Sequence, residues 1–181
     1  ATLSKKSRRP VKAIMERSNV FQASGPAPGG TITVKMGTDK NGKLIAADTS
    51  IKLEAGGFPG AAVGAAVQCI FAPYDIPNTR IDGYDIVVNK PKSAAYRAPG
   101  SPQAAFATET VVNELAELHG MDRVEFRQIN ASKEGTRRAD GVVFPVIGNE
   151  EVLDAAKASD HWNSELGEPM LSLIHISEPT R

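Results

Sequence analysis

Apolar and polar residues alternate over several short stretches of the chain, which is the pattern of half-buried β-strands. We predict strands at 11–16, 31–36, 44–54 and 81–89. Asn41-Gly42 separates the second from the third, and this dipeptide readily adopts the positive φ angles of a tight hairpin turn. The pattern therefore predicts a hairpin with one buried face, flanked by two further strands.

Helical periodicity and capping residues predict four helices. They cover 61–71, 102–118, 122–130 and 150–159. Three polar residues are the expected N-caps of the last three helices: Ser101, Asp122 and Asn149. The helix 102–118 carries a broad apolar side made of Phe106, Val112, Leu115, Ala116 and Leu118. Strands and helices mix irregularly, so we predict an α+β fold with a mixed or antiparallel sheet and packed helices.

The composition and charge of the chain argue against several classes of function. The chain of 181 residues carries 21 basic and 21 acidic side chains, and this balance argues against a general binder of polyanions. The basic run at 5–12 indicates a solvated helix end rather than a nucleic-acid site. No apolar run reaches the 18 residues typical of a membrane span. The single cysteine, Cys69, excludes an internal disulfide and is interpreted as a small buried apolar residue.

The last eleven residues, 171–181, resemble the in-frame translation of a sequencing adapter. We therefore exclude them from the fold and treat 1–170 as the domain. The natural chain is expected to continue past Met170.

The segment 94–103 is the strongest candidate for a binding site. It places Tyr96 and Arg97 among small residues, directly ahead of the helix 102–118. A helix N-terminus offers free N–H donors and a partial positive charge, and the arginine adds a planar fork suited to phosphate or carboxylate. An anion site is one interpretation. The other is that Arg97 pairs with a carboxylate and Tyr96 packs in the core.

Other candidate side chains form no catalytic set. Glu109 could be a general base, but a structural ion pair or an exposed position is favoured for it. His119 and His161 lack the spacing of metal ligands, and His119 is interpreted as a helix-end residue. The chain has neither a phosphate-binding glycine loop nor a nucleophile elbow. We therefore expect no catalytic residue and no metal ligand in this chain.

Several segments, in order and at consistent spacing, resemble one family. They are Arg9-Pro10-Val11-Lys12, Ile76-Pro77-Asn78, Asn89-Lys90-Pro91, Ala95-Tyr96-Arg97-Ala98-Pro99-Gly100, Pro102-Gln103, Glu109, Gly120-Met121-Asp122 and Phe126-Arg127-Gln128-Ile129-Asn130. Together they resemble the molybdopterin-binding large subunit of the xanthine dehydrogenase and aldehyde oxidase family, over most of residues 5–162. The resemblance implies part of a molybdenum-cofactor-binding domain.

The resemblance also implies a chemistry. Members of this family bind a molybdenum–molybdopterin cofactor, in some cases as the cytosine dinucleotide, and hydroxylate aldehydes or N-heterocycles with oxygen from water. Electrons pass to iron–sulfur clusters and FAD on partner subunits or domains. The family's aromatic-arginine loop lies against the molybdenum centre, which implies cofactor-binding roles for Ala95, Tyr96, Arg97 and Ala98. Arg97 would orient the cofactor, and the two alanines would let the backbone approach it.

Departures from the family pattern bear on the substrate. Purine-oxidising members carry a second arginine near the position of Ala65 and a phenylalanine where Pro99 stands, so xanthine is not expected as the substrate. The carbon monoxide dehydrogenase branch has a cysteine where this chain has Ala98. The family's catalytic glutamate belongs to a later part of the subunit. A cytoplasmic location is expected, with the periplasm as the alternative.

A second hypothesis of a different class stays open at this point. The chain could be a non-catalytic α+β interaction module that uses its basic N-terminal patch, 5–12. Further pterin-binding loops and a late glutamate in the continuing coding DNA would favour the enzyme, and an early stop codon would favour the module.

Overall fold

Three strands and six helices form within residues 1–165, the part of the chain that the computed structural model describes. The strands are β1 (Gly30–Thr38), β2 (Leu44–Gly56) and β3 (Asn78–Val87). The helices are α1 (Thr2–Ser7), α2 (Arg17–Ala23), α3 (Val63–Cys69), α4 (Ser101–Leu118), α5 (Arg123–Asn130) and α6 (Asn149–Ala158). The segment 171–181, predicted to be foreign, lies outside the described residues. None of the helices in the described part is long and apolar enough to cross a membrane.

The sheet is mixed, with β2 between the other two strands. β1 and β2 form the predicted hairpin, in antiparallel register with Gly30 opposite Leu53. The turn depends on Gly42, whose φ is 81°, and on Asp39, whose carboxylate accepts the Asn41 and Lys43 N–H groups. β3 runs parallel to β2, and α3 lies in the connection between them, as a parallel crossover requires. The predicted α+β class with a mixed sheet is confirmed.

The core lies between this sheet and the helices α3, α4 and α5. Helix α4 faces it with small or β-branched residues at a spacing of four: Ala104, Thr108, Val112 and Ala116. Three of them, Ala104, Val112 and Ala116, pack in one buried cluster with sheet and helix residues that include Ile51, Leu53, Ile70 and Phe126. The predicted apolar side of α4 is partly wrong, since Phe106 and Leu118 are 80% and 81% exposed. Each lies two positions from a buried residue. Two positions are about 200° around a helix, so these side chains are on the side opposite the core.

The strand predicted at 11–16 is wrong. These residues adopt no regular structure, and the apolar side chain of Ile14 is 78% exposed. Alternation alone cannot make a strand, because the backbone also needs a neighbouring strand to bond.

Two of the three predicted N-caps are also wrong. The caps of α4 and α6 are Gly100 and Gly148, one residue earlier than expected. Ser101 instead donates its hydroxyl to the Sγ of Cys69 at 3.1 Å, and this cysteine is half-buried rather than buried. Asp122 caps α5 as predicted, because its carboxylate accepts the N–H groups of residues 124 and 125.

Candidate cofactor-binding site

The predicted site is a surface loop, residues 94–100, whose ends are firmly attached to the rest of the domain. At its start the Ala94 N–H donates to the Pro26 carbonyl at 2.9 Å. The preceding residue, Ser93, donates both its N–H and its hydroxyl to the Ala55 carbonyl. The loop therefore leaves from a point fixed by two other segments.

At its other end the loop turns sharply into α4. Gly100 has a φ of 82°, and a Cβ there would lie 2.4 Å from the Ala62 carbonyl oxygen, so only glycine fits. Ala98 also has a left-handed φ, of 55°, and its carbonyl accepts the Ser101 N–H. A non-glycine residue in this conformation costs about 1–2 kcal/mol. The start of α4 is thus held against the start of α3.

The side chains between these two ends face solvent. Tyr96 is 68% exposed, and Arg97 and the alanines at 94, 95 and 98 are exposed as well. Among residues 1–165, no ion pair includes Arg97. The interpretation that Arg97 pairs with a carboxylate while Tyr96 packs in the core is therefore wrong for the described part of the chain. The arrangement is an accessible cation among small residues.

The N-terminus of α4 contributes fewer donors than the sequence suggests. Pro102 has no N–H, and the Ser101 N–H is already bonded to Ala98. Within the described part of the chain, the Gln103 N–H is the one backbone donor among residues 101–103 that remains to bind a ligand. The helix has 18 residues, so the partial positive charge at its N-terminus is still present.

The sequence alone assigned no role to a glycine-rich loop beside the site. It spans residues 56–61 and is fixed by two charged side chains. The Asp85 carboxylate accepts the Gly60 N–H at 2.6 Å and the Ala61 N–H at 3.0 Å, and these bonds hold the pKa of Asp85 below its usual value. Lys92 donates its ammonium group to the Gly60 carbonyl at 2.9 Å. Asp85 occupies an ordinary polar position of a strand, so nothing in the sequence distinguished it.

The other candidate residues have structural roles. Glu109 accepts hydrogen bonds from Tyr74 and Arg127, which confirms the ion-pair interpretation. His119 ends α4, and its Nε2 lies 2.7 Å from the Thr38 hydroxyl, which ties the helix to β1. Within residues 1–165, no three His, Cys, Asp or Glu side chains cluster closely enough to hold a metal ion.

Comparison with known proteins identifies the family. The sequence profile of the molybdopterin cofactor-binding domain matches residues 1–131. The chain belongs to this family. The predicted resemblance is confirmed, and the fixed loop that ends at Gly100 lies inside the matched region.

Individual relatives agree with this assignment. The chain is 32% identical over 162 residues to the nicotinate dehydrogenase large molybdopterin subunit of Eubacterium barkeri, covering 87% of this chain and 38% of that protein. The crystal structure of the aldehyde oxidoreductase from Desulfovibrio desulfuricans has 30% identity and a TM-score of 0.68, over 74% of this chain and 15% of that one. Quinoline 2-oxidoreductase from Pseudomonas putida 86 has the same fold, with a TM-score of 0.73 at 21% identity over 86% of this chain and 21% of that one.

This molybdopterin cofactor-binding domain is much shorter than the proteins it resembles. It spans 38% of the length of the Eubacterium barkeri protein and 15% of the aldehyde oxidoreductase chain from Desulfovibrio desulfuricans. The relatives' activities belong to those longer proteins.

Proposed function

We propose that this domain is part of a molybdenum hydroxylase and that its 94–100 loop orients the molybdopterin cofactor through Arg97. One observation carries the proposal. In a domain of the molybdopterin-binding family, an exposed guanidinium without a carboxylate partner among residues 1–165 lies in a loop fixed at both ends. A cation with no anionic partner among residues 1–165 is free to bind one, and molybdopterin carries a phosphate.

The donor set of the loop fits such a group. Arg97 can donate two parallel N–H bonds to a phosphate, and charge-assisted bonds of this kind are about twice as strong as neutral ones. The exposed alanines Ala95 and Ala98 let a ligand reach the backbone, and Tyr96 offers an accessible aromatic face. When bound, the molybdenum group supplies the oxidation of the substrate, with water as the oxygen source.

The substrate we propose is an aldehyde or an N-heterocycle. Support comes from two relatives at 30% identity or more, which are described as a nicotinate dehydrogenase and an aldehyde oxidoreductase. The absence of a second arginine near Ala65 disfavours a purine. Electrons would leave through iron–sulfur and flavin groups on partner subunits or domains, in the cytoplasm or the periplasm.

The first prediction tests Arg97 in the full-length enzyme. Replacing Arg97 with Ala removes charge-assisted bonds worth roughly 1.5–3 kcal/mol each, so cofactor affinity or turnover should fall by about one to two decades. Arg97→Lys should restore little, because an ammonium group cannot reproduce the planar fork. Molybdenum content and steady-state turnover are the measurements.

The matched control is Arg9→Ala, which removes another exposed arginine and should leave molybdenum content unchanged. Thermal unfolding separates cofactor binding from a scaffold role. Wild-type molybdenum content and turnover in Arg97→Ala, together with a lowered melting temperature, would reject the proposal.

A further inference from the structure

Within the described part of the chain, strand β1 has a free edge. It pairs with β2 on one side, and among residues 1–165 no strand pairs with its other side. The strand is nine residues long and contains no proline. An edge of this kind presents a row of unpaired N–H and C=O groups, which is a template for one more strand.

A groove runs along this free edge, under α4. Its volume is about 650 Å³. The sheet side is lined by Ile32, Val34 and Leu53, and the helix side by Phe106, Ala107 and Val111. Ile32 and Val34 pack against the buried core, so the groove continues the core rather than lying apart from it. An apolar side chain entering the groove would extend the same packing.

A polar atom at the groove has no hydrogen-bond partner among residues 1–165. The side-chain oxygen of Gln103 is buried and accepts no hydrogen bond among residues 1–165. The nitrogen of the same amide donates to the Pro28 carbonyl at 3.4 Å, which leaves the oxygen as the unsatisfied end. Buried polar atoms are normally hydrogen-bonded to protein or to ordered water, so this oxygen is available to a donor contributed from outside residues 1–165.

We propose that an extended segment from the remaining polypeptide of the same molybdenum subunit adds to the free edge of β1 as a fourth strand. Its alternate apolar side chains fill the groove under Phe106 and Val111, and one of its N–H groups donates to the Gln103 oxygen. The relatives supply the reason for this occupant, because the chain spans only 38% of the nicotinate dehydrogenase large molybdopterin subunit. A three-stranded sheet whose core continues past its edge strand is completed most directly by another strand of its own polypeptide.

This inference rests on the proposed function only in taking the chain as part of a larger subunit, and it does not involve the cofactor. The test is therefore a photo-crosslinking experiment in the full-length subunit. Its result depends on neither the molybdenum content nor the activity of the enzyme. Benzoylphenylalanine replaces Phe106 at the groove, and the same substitution at Leu118 is the control. Leu118 lies on the same helix, is equally exposed and does not line the groove.

The expected result is a crosslink from position 106 to a segment of the same polypeptide outside residues 1–165, with none to that segment from position 118. A crosslink to a second copy, to another subunit or to nothing overturns the proposal. Hydrogen exchange needs no substitution and gives a second measurement. The β1 amides should exchange at least about tenfold more slowly in the full-length subunit than in the 181-residue chain, while equal rates would also overturn the proposal.

Discussion

A partly buried network of side chains joins three segments of this domain. The Tyr74 hydroxyl donates to the Glu109 carboxylate at 2.8 Å, and the Nε of Arg127 donates to the same carboxylate at 2.9 Å. Arg127 also donates to the Asn113 side chain at 2.9 Å. The network links the segment before β3 to α4 and α5. The Glu109 carboxylate therefore has a structural role in holding these segments together.

The second prediction concerns the pH dependence of stability that Tyr74 creates. Burial, and then the Glu109 charge, raise the pKa of Tyr74 above its usual value. The folded state therefore keeps this proton at pH values where the unfolded chain has lost it. The resulting stabilisation is complete below about pH 10 and falls by about 1.4 kcal/mol per pH unit above it.

Tyr74→Phe should remove this alkaline dependence. At neutral pH the variant loses a hydrogen bond to a charged group and should be less stable by about 1.5–3 kcal/mol. Above pH 10 the difference in unfolding free energy between the variant and wild type should shrink, because wild type loses stability there. Urea unfolding between pH 7 and pH 11.5 measures it, with the exposed Tyr84→Phe as the control. A constant difference over this range would contradict the prediction.

Sequence could name a residue's bonding partners only where those partners are close in the chain. Asp122 was assigned correctly because its cap bonds reach residues only two and three positions away. Asn130 was recognised as a helix end, but its side chain also accepts the Leu44 N–H and donates to the Gly42 carbonyl. Those partners are more than 80 positions away, and no local pattern contains them.

At the scale of elements, the junction between α3 and α4 sets the position of the candidate loop. Gly100 begins α4 so close to Ala62 and Ala66 that a side chain has no room. The hairpin and the long helix were predicted from periodicity and turn residues. This junction was not, because it depends on two helices meeting in space. The expected cap at Ser101 was wrong for the same reason, since its hydroxyl bonds to a residue of α3.

The third prediction compares two glycines that both have left-handed φ angles. Gly100 has a φ of 82° and Gly120 a φ of 62°, but only Gly100 has neighbours that a Cβ would strike. Gly120→Ala should cost about 1–2 kcal/mol from backbone strain alone. Gly100→Ala should cost about 1–3 kcal/mol more, because it also forces the two helices apart.

Chemical denaturation of both variants gives the two free energies of unfolding. The variant at Gly100 should also lower molybdenum content in the full-length enzyme, because the loop that carries Arg97 ends at this junction. Equal costs at the two glycines would show that the α3–α4 contact can relax.

At the scale of the whole molecule, the sheet arrangement was only partly predictable. The Asn41-Gly42 turn specifies the antiparallel hairpin, but β3 is parallel to β2 through a crossover that no turn residue encodes. Residues 11–16 show the opposite case, an alternating pattern without a strand. The role of Arg97 and the foreign origin of 171–181 stay predictions.

The last prediction is that the 181-residue chain alone neither retains the cofactor nor hydroxylates. Two charge-assisted bonds from Arg97 contribute about 3–6 kcal/mol, whereas binding costs about 4–15 kcal/mol in lost translational and rotational freedom. We therefore expect that one loop does not hold a cofactor tightly and that the residues completing the site come from the rest of the subunit. The chain is to be purified from a host that makes molybdopterin, beside the full-length subunit. Its molybdenum content and its dye reduction with aldehydes and N-heterocycles should stay at background, and stoichiometric molybdenum or turnover would contradict this.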